Sequence, residues 1–104
     1  MLNVKTWLET TGLKVAEESF FKAPALPYIV FMETRNVNGA DDVNLKVQRT
    51  LTIELYSSEI DLINEEKIED LLDGKAFSYQ KDRSWIASDS FYQTIYEFVI
   101  TERK

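Results

Sequence analysis

A chain of 104 residues has room for one hydrophobic core and one domain. It contains no cysteine and no histidine, which excludes a disulfide framework, a thiolate zinc site and serine–histidine or cysteine–histidine catalysis. Its net charge of −6 and pI near 4.6 oppose specific or general nucleic-acid binding through phosphates, which needs clustered lysine and arginine.

MLNVKTWLETTG lacks the long apolar core and small-residue cleavage site of a signal peptide. No later stretch approaches the roughly 20 apolar residues of a membrane span. A soluble, cytoplasmic protein with no membrane contact is therefore expected. The first predicted element is a helix from Val4 to about Thr11. Asn3 caps it, Gly12 takes the left-handed position past its end, and Val4, Trp7, Leu8 and Thr11 form one face.

LKVAEESFFKAPA leads towards a sheet, with a short extended piece around Leu13 to Ala16 and an irregular approach set by Pro24 and Pro27. The first full strand runs from Pro27 to Arg35. NVNGADDV reads as a turn, and NLKVQRTLTIELYS as the return strand. In that return strand Leu45, Val47, Leu51, Ile53 and Leu55 share a face that Arg49 interrupts. A second helix follows, with Asn64 as cap, Ile63 and Ile68 as a hydrophobic staple, and Gly74 as its stop; a start one turn earlier, near Ser58, also fits. Phe77–Ala87, the turn Ser88–Ser90 and Phe91–Glu102 then form a hairpin.

The expected fold is α+β, a single domain of order α-β-β-α-β-β. Its sheet would be antiparallel and four-stranded, with both helices packed on one face. Such helices leave a second face uncovered. In PALPYIVFMETR, Tyr28, Val30 and Met32 point away from Ile29 and Phe31; in the last strand, Tyr92, Tyr96, Phe98 and Ile100 point away from Phe91, Ile95 and Val99. Either the LKVAEESFFKAPA segment or another subunit must cover that second face, and Met32, Tyr92 and Tyr96 favour a subunit.

Little in the chain reads as chemistry. Glu65, Glu66, Glu69 and Asp70 could hold magnesium, although a solvated helix face with acids favoured by the helix dipole explains them better. Asp41 and Asp42 lack the ligand spacing of a calcium loop, and the three glycines are too far apart for a phosphate cradle. No cofactor or metal is expected, and the protein reads as non-enzymatic.

The strand LPYIVF (Leu26–Phe31), the strand end IELYS (Ile53–Ser57) and the hairpin SDSFYQTIYEF (Ser88–Phe98) resemble small phage and prophage tail-completion proteins, the terminator-like structural proteins of long-tailed bacteriophages. The resemblance runs from about Gly12 to Glu102. It implies a homo-oligomeric, hexameric ring that caps the tail tube, ends polymerisation and provides the head-joining surface. The implied partners are copies of itself, the tail tube protein and head-tail connector proteins, first in the host cytoplasm and then in the virion tail. A head-side adaptor or stopper and a small cytosolic binding module are the alternatives, and a metal-dependent nuclease is a more distant one.

The family has no diagnostic site motif, so contact candidates come from side-chain chemistry. Arg35, Asp41 and Asp42 flank or occupy the first hairpin loop, Lys81, Asp82 and Arg83 charge the second hairpin, and Trp85, Phe91 and Tyr92 are aromatic anchors near its turn. Reversing the charge of Arg83 or Asp42 is expected to impair assembly while leaving the thermal midpoint nearly unchanged.

Overall fold

The computed structural model describes residues 1–38 and 46–103. In chain order the elements are α1 (Val4–Glu9), β1 (Val15–Glu17), β2 (Tyr28–Asn38), β3 (Lys46–Ser57), α2 (Leu62–Gly74), β4 (Gln80–Ile86) and β5 (Phe91–Arg103). They build one five-stranded sheet in the order β1-β2-β3-β5-β4. The expected antiparallel four-stranded sheet of order α-β-β-α-β-β is thereby corrected: a fifth strand, β1, pairs parallel to β2, with Val15 opposite Ile29 and Glu17 opposite Phe31. A strand of three residues is too short to show alternation, so the sequence offers only a hint of an extended piece there.

The two antiparallel hairpins, β2–β3 and β4–β5, join where β3 pairs with β5. Their register places Ile29, Phe31, Leu51, Ile53, Leu55, Tyr96, Phe98 and Ile100 in one buried cluster with Val4 and Leu8 of α1 and Ile68 and Leu72 of α2. Both helices thus cover the same face. Trp7 adds edge-to-face contacts with Phe77 and Phe98, at ring-centroid separations of 5.9 and 6.3 Å.

Local chemistry sets the helix ends. The Asn3 side chain accepts from the Thr6 N–H at 3.0 Å, and Gly12 has φ +88°, as its place past α1 requires. α2 starts earlier than an Asn64 cap would place it: Asp61 is the cap, accepting from the Asn64 N–H at 3.1 Å, and Ile63 is exposed instead of stapling the helix start. At the other end the helix runs through Gly74, and Ala76 takes the left-handed conformation at φ 57°. The Phe77 N–H donates to the Leu72 carbonyl at 3.0 Å and the Ala76 N–H to the Asp73 carbonyl at 2.9 Å, the paired bonds of a Schellman ending.

The outer face has a partial cover made by the chain itself. After β1 the segment Glu18–Pro27 returns to the start of β2 and lays Phe20 against Tyr28, with centroids 5.3 Å apart. Tyr28 meets Tyr56 at 5.2 Å and Tyr56 meets Phe91 at 4.9 Å, so one aromatic row crosses β2, β3 and β5. Beyond that row the cover ends. Met32 is 38% exposed and Val99 50%, but Tyr92 and Tyr96, expected beside Met32 at a subunit contact, lie on the helix-covered side of β5, where Tyr96 is fully buried.

Candidate interaction surfaces

Two ion-pair networks lie on the helix-covered face, and both take charged side chains out of circulation. In the first, Arg49, which interrupts the apolar row of β3, is 2% exposed. It donates to Glu33 at 2.6 Å, to Glu102 at 2.7 Å and to the Leu2 carbonyl at 2.8 Å, and the Leu2 N–H donates to the other Glu102 oxygen at 2.8 Å. Arg35 also pairs with Glu33. Burial pushes the Glu33 and Glu102 carboxyls up, but the hydrogen bonds and charge of Arg49, helped by Arg35 at Glu33 and by the Leu2 N–H at Glu102, leave both lowered. One guanidinium thus ties β2, β3, β5 and the N-terminus together.

The second network centres on Glu65, which is 1% exposed and does not belong to a solvated helix face. It accepts from Arg83 at 2.6 and 2.9 Å and pairs with Lys81 at 2.7 Å. Lys81 reaches Glu69 at 2.7 Å, and the Tyr96 hydroxyl also donates to Glu69 at 2.7 Å. Burial raises the Glu65 carboxyl, and the bonds from Arg83 and Lys81 outweigh it to give a net lowering. Burial, then the neighbouring Glu69, pushes the Tyr96 phenol far up, so it stays a neutral donor. Among the described residues no group of three or more acidic side chains could hold a metal ion.

The predicted contact residues therefore do not form one site. Asp41 and Asp42 lie outside the described residues. Arg35 sits in the Arg49 network, whereas Lys81 and Arg83 hold β4 to α2. The register puts Arg49 opposite Ile100 and Arg83 opposite Thr94, which separates the two networks by about 20 Å along β5. Asp82 is exposed on the other side of β4. The aromatic anchors also divide. Phe91 belongs to the outer-face row, and Trp85 packs on Tyr92 over the helix-covered face, with centroids 4.9 Å apart.

Trp85 and Tyr92 do meet partners that sequence reasoning missed. With Ser58, Glu59 and Ile60 they line an open depression of 540 Å³ at the end of the sheet where α2 begins. Ile60 is 49% and Trp85 50% exposed, and Leu62 and Ile63 beside them are more exposed still. The signal was present in the sequence as three large apolar residues, Ile60, Leu62 and Ile63, around an early Asp61 cap, hidden because a later helix start assigned Ile63 to packing.

No helix among the described residues is long and apolar enough to cross a membrane. No protein-family model matches the chain, and no curated protein matches it in sequence. Among solved structures, a chain of the particle described as the "virion of native gene transfer agent (GTA) particle" is similar to it, with a TM-score of 0.62 and 10% identity. The match covers 93% of this chain and 84% of that one, so the likeness extends over nearly the whole fold.

Proposed function

We propose that this protein is a non-enzymatic structural component of a phage-like virion, and that within the virion it completes the tail. The observation that carries the first part is the fold likeness to a chain of a gene transfer agent virion over 93% of the present chain. The finer role draws on the sequence resemblance to tail-completion proteins. In that role a ring of copies ends tail-tube growth and presents the surface that joins the head.

The chemistry of the face under the helices supports a structural role. The acidic cluster that could have served an enzyme is half consumed inside the fold, with Glu65 and Glu69 bonded to Lys81, Arg83 and Tyr96. The outer face remains partly open at Met32 and Val99, and so does the depression at Trp85. Such surfaces suit protein contacts.

The test is to delete the gene in a cell that produces the particle and to image the products. Filled heads without tails, together with tails of uncontrolled length, are expected. Immunogold label on intact particles should fall where tail meets head, on the tail side. Normal particles from the deletion strain would refute the virion reading, and label confined to tailless heads would assign the protein to the head-side connector.

A further inference from the structure

We infer that the depression at Trp85 receives the Phe21 side chain of a second copy of this chain, so that copies join head to tail. The inference rests on the self-assembling role proposed above and names its interface. Phe21 is fully exposed, on the Glu18–Pro27 segment that follows β1. Its neighbour Phe20 turns the other way and packs on Tyr28, which fixes the segment and leaves Phe21 projecting. The receiving depression is walled by Trp85 of β4. β1 and β4 are the opposite edges of the sheet, four strand spacings or about 19 Å apart.

The depression has room for the ring, and the charges beside it are complementary. The depression is open and offers 540 Å³ between Ile60, Trp85 and Tyr92, room to spare for a ring that an enclosed cavity of about 150 Å³ can hold. Lys22 follows Phe21 in the chain, and Glu59 lines the depression. Among the described residues neither forms an ion pair within its own chain. A seated Phe21 would bring a lysine to an acidic rim that also carries the face of Trp85. Because knob and hole are different surfaces, a contact made once leaves a free knob on one copy and a free hole on the other, and its repetition generates a closed ring or an open filament.

The absence of native cysteine allows a direct test. Purified Lys22→Cys and Glu59→Cys proteins, each retaining Phe21 and the apolar wall of Ile60, Trp85 and Tyr92, are mixed at high concentration and oxidised. A covalent pair of about 24 kDa is expected from the mixture, and a ladder of 12.1 kDa steps from the double variant. Adding Phe21→Ala to the Lys22→Cys protein should cut the yield at least tenfold. That substitution should leave the melting temperature unchanged, because Phe21 covers nothing in its own chain. Cross-linking no greater than that of a control pair, Glu9→Cys with Glu97→Cys, would overturn the inference, as would pairs formed mainly within the Lys22→Cys protein alone. A failed cross-link with the protein still found in virions removes only this interface. A successful one with the protein absent from virions removes the virion reading instead.

Discussion

At the residue scale, the charged side chains that looked available for partners stabilise the fold instead, and this changes what their substitution should do. Arg83 faces a carboxylate that is 2% exposed, so Arg83→Glu places two like charges together in a poorly hydrated site. It should cost about 3 kcal/mol, a fall in melting temperature of some 12 °C or more, in place of the unchanged midpoint that an exposed contact residue would give. A thermal melt within 3 °C of the parent would show that Glu65 does not depend on Arg83. Arg49→Met should be at least as damaging, at about 3–5 kcal/mol, because Glu102 is left without its partner while the side chain volume is kept. Acid should act through the same groups. The Glu33, Glu65 and Glu102 carboxyls lie below their ordinary 4.5 in the folded protein, so the unfolded chain takes up protons first. Their contribution is complete above about pH 4.5 and is lost as pH falls through the lower folded values. Melting temperature measured between pH 7 and pH 3 should therefore be flat and then drop. Glu65→Gln, which cannot release that proton, should drop less steeply. The Schellman ending offers the opposite sign. Ala76 pays a left-handed backbone cost at φ 57°, and Ala76→Gly should stabilise by about 0.5–1 kcal/mol in chemical denaturation.

At the element scale, β4 is unlike the other long strands. None of its seven residues is buried, so main-chain pairing with β5 and the Lys81 and Arg83 contacts to α2 hold it in place. Charge at this edge also discourages strand addition by other chains. Native-state hydrogen exchange should find the β4 amides opening at a lower free energy than those of Leu51 and Ile53, with Glu65→Gln widening the gap. Equal opening energies would mean that the edge and the centre unfold as one unit. The same contrast explains what could be read in the sequence. β3 and β5 alternate over 12 and 13 residues, so their register of inward and outward side chains follows from the pattern alone. Arg49 appeared as a flaw in that pattern because its partners, Glu33 and Glu102, are 16 and 53 residues away and no local window contains them. Glu65 looked solvated for the same reason, its cations lying on a strand that follows the helix. β1 was nearly invisible, since a parallel three-residue strand is specified by the neighbour it meets and hardly by its own sequence.

At the scale of the whole molecule, shape and charge combine into one further prediction. The Cα extents are 50 × 28 × 22 Å, and the 13 residues of β5 alone span about 43 Å, so the long axis follows the strands. Head-to-tail contact between the β1 and β4 edges would run across that axis. Each copy carries −6, and adjacent copies repel unless salt screens them. Within about 8–10 Å at physiological ionic strength the Lys22–Glu59 contact keeps most of its attraction, whereas the repulsion between whole chains acts over longer distances and is screened first. Association driven by an apolar knob should therefore strengthen as sodium chloride rises from 20 to 300 mM. In sedimentation velocity the weight-average mass should climb from 12.1 kDa towards about 73 kDa, the value for a closed ring of six. Phe21→Ala should remain at 12.1 kDa throughout. If added salt instead dissociates the assembly, ion pairs dominate the interface, and Phe21 in its depression is not what holds the copies together.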